Sequence, residues 1–240
     1  MDNRSSVSKF LHLYASPQGG RAPTRSVAVI GLGRFGQSLA LELMDWDTEV
    51  LGVDIDPEVV QQLNTRLTHV VAANAAKAEV LEQLAVAEFD RVVLAIGADL
   101  ASSILVASHL IRSGVREIWA KAVSEQQGTI LEQLGVKHVI YPEKDMGRRV
   151  AHLVRGSLKD FIPIDRDFVL VKSSVPPQIV GVPLDKSKVR QEHGVTISAV
   201  KSPEQQWRHT EPGTVLGAED LILVSGPTDR AESFAQLAAS

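Results

Sequence analysis

The sequence contains no cysteine. This absence excludes disulfide frameworks, thiolate nucleophiles, zinc–thiolate sites and cysteine-ligated iron–sulfur clusters, and it agrees with a reducing cytoplasm. Long apolar runs are lacking too, because none approaches the roughly 20 residues that cross a bilayer. Positive charge is not in excess either, since 25 Lys and Arg face 29 Asp and Glu for a net charge of −4. The charge balance therefore argues against nucleic acid as a partner.

Common catalytic signatures are also missing. The seven histidines are scattered without the H-x-x-x-H spacing of a metal site, and neither a G-x-S-x-G motif nor a P-loop occurs. These gaps favour a binding protein over an enzyme.

The chain has enough apolar residues for a core, with 44% hydrophobic and 22% charged residues. Its 240 residues are about one and a half times a typical domain of roughly 150 residues, which predicts two unequal domains. The apolar patch near the start is too short for a secretory signal, so residues 1–24 are predicted to be a flexible tail.

Six short, β-branched runs alternate with amphipathic stretches of helical spacing. They are Val27–Ile30, Val50–Ile55, Val70–Ala73, Val92–Ile96, Ile118–Val123 and Val139–Tyr141. Each run is mostly apolar on both faces, as in parallel strands that are covered by helices on both sides. The pattern predicts an α/β fold with a Rossmann-like, doubly wound, parallel six-stranded sheet.

The rhythm changes after Tyr141. Apolar residues from Val150 to Leu158 at helical spacing predict a helix that ends near Phe161–Pro163. The rest predicts a small α+β domain with an extended run, two further strands and two helices. In order they are Phe168–Val171, a helix over Leu184–Gln191, Val195–Val200, Leu221–Val224 and a closing helix from Thr228.

The first strand leads into a G-x-G-x-x-G motif formed by Gly31, Gly33 and Gly36, and Asp54 ends the next strand. Such a loop brings backbone N–H groups and a helix N-terminus to a phosphate, while the acid accepts hydrogen bonds from ribose hydroxyls. Asp54 would repel a 2′-phosphate, so NADP is disfavoured. NAD, ATP, ADP and AMP all stay open on this evidence.

Two further residues have two interpretations each. Arg34, inside the glycine loop, either adds bidentate phosphate contacts or is a solvated loop residue. Asn74, just after the third strand, either contacts the adenine edge or forms a turn.

Other function classes stay open at this point. A nicotinamide-dependent reductase would need an acid or base facing the glycine loop and a larger second domain. A redox-sensing repressor would need a basic recognition helix, and the best stretch, Lys186 to Arg190, has no clustered basic neighbours.

An ordered set of segments resembles the cytosolic gating subunit of Ktr/Trk-type bacterial potassium uptake systems, the family of potassium-conductance-regulating nucleotide-binding domains. The segments are Ala28–Gly36, Val53–Asp54, Ala73–Ala75, Ala95–Ala98, Ile118–Ala122 and the Pro-Glu-Lys-Asp-Met-Gly signature that follows Tyr141. The match covers about residues 26 to 226.

The resemblance implies a regulatory protein that binds ATP or ADP and transmits the nucleotide state to a membrane potassium channel. The implied nucleotide site consists of Gly31, Gly33, Arg34, Phe35, Gly36, Asp54, Ile55, Asn74, Ala75, Ile96, Gly97 and Lys121. It also implies homodimers that assemble into an octameric ring, cytoplasmic and peripheral on the inner face of the cell membrane, with Arg34 reaching the terminal phosphate across the dimer interface.

Two more ligands follow from the same resemblance. Glu143 would help to bind Mg²⁺ or another cation near the nucleotide. The C-terminal domain would bind cyclic di-AMP, for which the implied residues are Val189, Arg190, Thr196, Ile197, Ala199 and Pro212. This chain departs from the family pattern at Thr196, where cyclic di-AMP binders usually carry Asn, and at Ala76, where Thr is common.

These predictions divide the chain into four parts. Residues 1–24 form the tail, 25–142 the nucleotide-binding domain, 143–162 a crossover helix with its linker, and 163–240 the ligand-sensing domain.

Overall fold

The computed structural model describes residues 25–156 and 158–238, so the predicted tail over 1–24 lies outside the described residues. The chain divides into two compact units, of which the first ends at Glu143 and the second begins at Lys144. Over the described ranges, every helix is too short or too polar to span a membrane.

The first unit contains a six-stranded sheet in which all neighbouring strands are parallel, in the order β3-β2-β1-β4-β5-β6. The strands are β1 Ser26–Ile30, β2 Glu49–Asp54, β3 His69–Ala72, β4 Arg91–Leu94, β5 Ile118–Lys121 and β6 His138–Ile140. The helices are α1 Arg34–Asp45, α2 Pro57–Leu63, α3 Ala78–Gln83, α4 Leu100–Arg112 and α5 Glu125–Leu134, with a 3₁₀ turn at Val86–Glu88. The predicted doubly wound fold is confirmed.

Both faces of this sheet are buried, which explains the lack of polar alternation in its strands. On β1, Ala28 and Ile30 belong to one apolar cluster, together with Leu110 of α4. Val27 and Val29 point to the opposite cluster, which includes Ala40 of α1. The glycine loop therefore leaves a strand that is fixed by packing on both sides.

The second unit is a small α+β unit with an antiparallel five-stranded sheet in the order β10-β9-β11-β8-β7. Its strands are β7 Asp160–Asp165, β8 Phe168–Ser174, β9 Thr196–Lys201, β10 Arg208–His209 and β11 Leu221–Pro227. Its helices are α6 Pro142–Arg155, most of which lies in this unit, α7 Val189–His193 and α8 Thr228–Gln236, with a 3₁₀ turn at Pro177–Ile179. Phe234 of α8 is almost fully buried in the core of this unit.

The structure differs from the sequence pattern where the first helix of this unit ends. Helix α6 ends at Arg155, and the segment around Phe161–Pro163 begins the strand β7 instead of ending a helix. Pro163 is tolerated because β7 is an edge strand. The predicted helix over Leu184–Gln191 is also shorter, since α7 begins only at Val189.

Candidate nucleotide-binding site

A cavity of about 590 Å³ lies at the carboxyl ends of the parallel strands. Eleven of the twelve residues predicted for the nucleotide site line it. They are Gly31, Gly33, Arg34, Phe35, Asp54, Ile55, Asn74, Ala75, Ile96, Gly97 and Lys121. Gly36 is the exception, because it is buried beneath the loop. The volume falls in the usual range for small-molecule sites.

The three glycines of the loop have different structural roles. Gly31 has φ +94°, a left-handed conformation that favours glycine, and its backbone N–H donates to the carbonyl of Val53 at 2.8 Å. A Cβ added at Gly36 would overlap the carbonyl oxygen of Gly31, so this position requires glycine for close packing of helix on strand. A Cβ added at Gly33 would meet nothing within 4 Å. Only Gly33 thus has open space on its outer side, where a phosphate would approach.

The N-terminus of α1 carries no side-chain cap of its own. Gly33 is the N-cap residue without a side-chain hydrogen bond, and the first turn contains no acidic residue. Backbone N–H groups at such a helix start lack intrahelical partners and sit at the positive end of the helix dipole. This end of α1 is therefore suited to an anionic group.

Asp54 is held in a fixed position at the end of β2. One carboxylate oxygen accepts a hydrogen bond from the backbone N–H of Leu32 at 2.5 Å, and the other accepts one from the N–H of Asp56 at 2.9 Å. Each oxygen keeps a further lone pair. The carboxylate is consequently aimed by the glycine loop and can still accept hydrogen bonds from ribose hydroxyls.

Asn74 forms a turn, which is one of the two interpretations that the sequence left open; its contact with an adenine edge stays a prediction. Its side-chain oxygen accepts a hydrogen bond from the backbone N–H of Ala76 at 3.0 Å, which forms a turn after β3. The same residue is exposed and lines the cavity. The turn therefore orients a side chain whose NH₂ group is available to a ligand.

The far side of the cavity, across the glycine loop from Asp54, is charged. Lys121 Nζ lies 2.5 Å from Glu143 Oε1 and 5.8 Å from the centroid of the Phe35 ring. The hydrogen bond from Lys121 lowers the pKa of Glu143 below its ordinary value, with smaller contributions that include the charge of Arg34. Two cationic side chains, Arg34 and Lys121, are therefore placed to contact phosphate oxygens here, and Lys121 is already paired with Glu143.

The donor set for a metal ion is poor within a single chain. Glu143 is one carboxylate, it is paired with an ammonium, and the described residues contain no cluster of three or more His, Cys, Asp or Glu side chains suited to a metal. Divalent cations such as Mg²⁺ need several oxygen ligands. Within the part of one chain that the structure describes, Glu143 therefore lacks the further ligands that a divalent cation needs.

Several lining residues were not predicted from the sequence as site residues. They are Ile30, Val53, Ala73, Ala76, Ala95, Ala98, Asp99, Ser102 and Val123. Asp99 is the charged residue among them. It is the N-cap of α4 and accepts hydrogen bonds from Ser102 N at 3.1 Å and Ser102 Oγ at 2.6 Å. The available signal was an Asp in the short loop after β4, the strand next to β1, immediately before the helix that begins at Leu100.

A second cavity, of about 570 Å³, lies in the second unit. Five of the six residues predicted for cyclic di-AMP line it, namely Val189, Arg190, Thr196, Ile197 and Pro212. Ala199 is not among the lining residues, because it is buried in β9. Polar neighbours that the sequence did not predict include Lys188, His209 and Glu211.

Comparisons with known proteins give a consistent result. Residues 27–142 match the TrkA-N domain. The chain is 32% identical over 207 residues to Ktr system potassium uptake protein A of Vibrio alginolyticus, which covers 86% of this chain and 94% of that protein. The chain belongs to the Ktr potassium uptake protein family. Its likeness extends to Ktr system potassium uptake protein C of Bacillus subtilis (strain 168), with 31% identity over 203 residues, 84% of this chain and 92% of that one.

Solved structures agree on the fold. The crystal structure of the GsuK RCK domain has a TM-score of 0.62 at 17% identity and covers 97% of this chain. A GsuK channel bound to NAD also has a TM-score of 0.62, at 18% identity, with 98% of this chain covered. This Ktr family chain spans 52% of the first of those chains and 45% of the second. The likeness at these identities establishes a shared architecture.

Proposed function

We propose that this chain is the regulatory, gating subunit of a potassium uptake system, and that it binds ATP or ADP in the cavity beside the glycine loop. One observation carries the proposal. The cavity brings a helix N-terminus without a side-chain cap, a fixed carboxylate at Asp54 and the cations Arg34 and Lys121 to one place. The family membership supplies the potassium context.

The ligand would lie across the strand ends. The adenosine ribose would bind to Asp54, since an acid at the end of β2 accepts from ribose hydroxyls in this kind of fold. The first phosphates would lie over Gly33 at the N-terminus of α1. Terminal phosphates would then reach Lys121 and Arg34. The Arg34 side chain would come either from the same chain or from a second copy across a dimer interface.

Gating requires no chemical step. ATP and ADP can shift a conformational equilibrium only by binding its two states with different affinity. A shift from 1:99 to 99:1 needs about 5.5 kcal/mol, which several identical sites in a homo-oligomer can share. We therefore expect ligand exchange without hydrolysis, and a phosphate-release assay that found robust turnover would contradict this part of the proposal.

The assembly that we propose is the one that the family resemblance implies. We propose homodimers that join into an octameric ring on the inner face of the cell membrane, where the ring contacts a membrane potassium channel subunit. Mg²⁺ or another cation would need ligands beyond Glu143, such as nucleotide phosphate oxygens or a second copy of the chain.

NAD(H) is the second candidate ligand, and two observations favour it. A solved GsuK channel of the same fold contains NAD. Asp54, with both oxygens held by backbone N–H groups, suits the free ribose of NAD and disfavours NADP. A reductase activity has less support, because the described part of the cavity wall contains no histidine to act as acid or base.

Cyclic di-AMP is the candidate ligand for the second cavity. Arg190 and Lys188 supply positive charge there, and Val189 and Ile197 supply apolar surface on which a base can pack. Its binding would give the second unit a sensing role independent of the first cavity.

The test is ligand binding followed by transport. Isothermal titration and thermal unfolding of the full chain with ATP, ADP, NADH and NADPH should show saturable binding of ATP and ADP and none of NADPH. A ligand at 100 times its Kd should add about 2.7 kcal/mol to the free energy of unfolding. Stabilisation by NADH but not by ATP or ADP would overturn the ATP/ADP assignment.

A charge variant at Gly33 tests the position proposed for the phosphates. Gly33→Asp fits the open space at this position and is a good N-cap, so the variant should fold, but its carboxylate lies where phosphate is expected. It should abolish nucleotide binding without lowering the unfolding temperature. Potassium uptake by deficient cells that express the channel partner should depend on the wild-type chain and lose nucleotide control with Gly33→Asp.

A further inference from the structure

The charges that line the first cavity do not balance. Arg34 and Lys121 are its cations, whereas Asp54, Asp99 and Glu143 are its carboxylates. Glu143 is neutralised by Lys121 at 2.5 Å. Asp99 forms no ion pair with the described residues, and its hydrogen bonds come from the uncharged Ser102.

Asp99 is also fixed in place and ionised. Both its oxygens accept hydrogen bonds from Ser102, at 3.1 Å from the backbone N and 2.6 Å from Oγ. These bonds lower the pKa of the exposed Asp99 carboxyl below its ordinary value. The side chain therefore presents a permanent negative charge to the cavity at neutral pH.

Asp99 lies on the side of the cavity where the end of a nucleotide farthest from its adenosine would lie. Asp54, on β2, marks the adenosine side of the cavity. Asp99 follows β4, which lies on the opposite side of β1 from β2. Gly97, two residues before Asp99, packs close to Lys121. A Cβ added at Gly97 would lie 3.3 Å from Lys121 Nζ. Whatever extends beyond the glycine loop thus approaches Asp99, Lys121 and Glu143.

We propose that Asp99 is a specificity-determining residue of the nucleotide site, whose carboxylate disfavours terminal phosphates and favours an uncharged or cationic group beyond the first phosphates. This inference rests on the proposed function. The negative charge of Asp99 repels ATP more than ADP, because ATP carries one more phosphate group. The carboxylate accepts hydrogen bonds from a second ribose and attracts the cationic ring of NAD⁺.

Capping alone would explain the Ser102 bonds but would give no ligand preference. Asn caps a helix as well as Asp does, so Asp99→Asn removes the charge and keeps the cap. Asp47→Asn is the matched control, because it makes the same charge change in the same unit. Asp47 lies at the far end of α1, about 18 Å along the helix from the loop, and has φ +56°, which Asn tolerates.

The experiment is titration of the full chain with ATP, ADP and NAD⁺, in the presence of a chelator, for the wild type and both variants. Asp99→Asn should tighten ATP about two- to fivefold, ADP by less, and NAD⁺ not at all or in the opposite direction. Added salt should reduce the effect on ATP. Asp47→Asn should leave the ratio of ATP to NAD⁺ affinity unchanged.

Equal changes for all three ligands, or no change with Asp99→Asn, would overturn the inference while leaving the proposed function intact. Absence of nucleotide binding by the wild type would overturn both. Should Asp99→Asn fail to fold, Asp99→Ser is the second variant, because Ser is also a favoured N-cap and carries no charge.

Discussion

Lys121 Nζ lies 2.5 Å from Glu143 Oε1, and both residues line the cavity beside the glycine loop. The lysine side chain is only 11% exposed, whereas the glutamate side chain is 62% exposed. A phosphate group that enters the cavity therefore competes with Glu143 for the ammonium group. Whether the ammonium group of Lys121 is available to a ligand therefore depends on whether Glu143 remains paired with it.

Replacing Lys121 should weaken nucleotide binding. Lys121→Met keeps a side chain of similar length but removes a charged donor, and hydrogen bonds to charged groups contribute about 1.5–3 kcal/mol. We expect ATP and ADP affinity to fall by roughly tenfold or more, measured by isothermal titration. Lys137→Met is the control, because Lys137 is exposed, pairs with Glu117 at 3.8 Å and does not line the cavity. Equal losses in both variants would argue against a role for Lys121.

Replacing Glu143 should have an effect whose sign depends on the cation. Glu143→Gln releases Lys121 and removes a repulsive charge, so ATP should bind more tightly when a chelator is present. If Glu143 helps to hold Mg²⁺ with the phosphates, the same variant should bind ATP more weakly than the wild type in Mg²⁺. Titration in both conditions distinguishes the two roles. Tighter binding in both would rule out the cation role.

Gly33 and Gly36 of the loop should separate stability from binding. Gly36→Ala forces a Cβ into the Gly31 carbonyl, and overpacking of this kind costs about 1–3 kcal/mol in the free energy of unfolding. Gly33→Ala meets no atom, so its cost should stay below about 1 kcal/mol. Its methyl group fills the phosphate approach, however, and should weaken ATP. Thermal unfolding and titration of both variants check this, and a stable Gly36→Ala variant would contradict the packing argument.

The residues that were predictable from the sequence are those fixed by local physics. The six strands of the first unit are buried on both faces, so their β-branched runs stand out, and the glycine spacing marks where Gly31, Gly33 and Asp54 meet. Strand β7 was missed because apolar residues from Val150 to Leu158 keep a helical spacing and Pro163 resembles a chain break. Its edge position, which permits Pro163, depends on tertiary pairing.

The charged wall of the cavity was harder to foresee for a similar reason. Asp99 has the sequence pattern of an ordinary helix cap, with Ser102 three residues later. Its second role arises only because β4 lies beside β1, which brings the start of α4 to the glycine loop. The partner of Glu143 was equally hidden, since Lys121 is 22 residues away in the sequence. Strand order determines both juxtapositions.

An ion pair in the second unit should make its stability depend on acid pH. Arg149 lies 2.6 Å from Asp160 Oδ1, and its hydrogen bond lowers the pKa of Asp160 in the folded chain. The contribution is complete above the unfolded-state pKa and is lost as pH falls through the lower folded-state pKa. Asp160→Asn should therefore lower the unfolding temperature by up to about 3 °C at neutral pH.

That difference between wild type and Asp160→Asn should begin to shrink below about pH 4, where the unfolded-state carboxyl is protonated. It should be lost once the pH has fallen through the lower folded-state pKa of Asp160. Asp145→Asn is the control, because its pair with Arg148 is more exposed. Thermal unfolding across the pH range provides the measurement. A difference that persists unchanged in acid would mean that the pair does not act through charge.

Arg190 should control the second cavity without affecting the first. It is exposed on α7 and supplies positive charge beside Val189 and Ile197, so Arg190→Ala should remove the stabilisation by cyclic di-AMP. Stabilisation by ATP should stay as in the wild type, because the described residues that line the first cavity all belong to the first unit. Arg166→Ala, in the turn between β7 and β8, removes the same charge away from the cavity lining and should bind cyclic di-AMP normally. Thermal-shift titration with both ligands checks all three chains. Equal stabilisation of wild type and Arg190→Ala by cyclic di-AMP would place that ligand elsewhere, and a wild type that it does not stabilise would remove it from this protein's ligands.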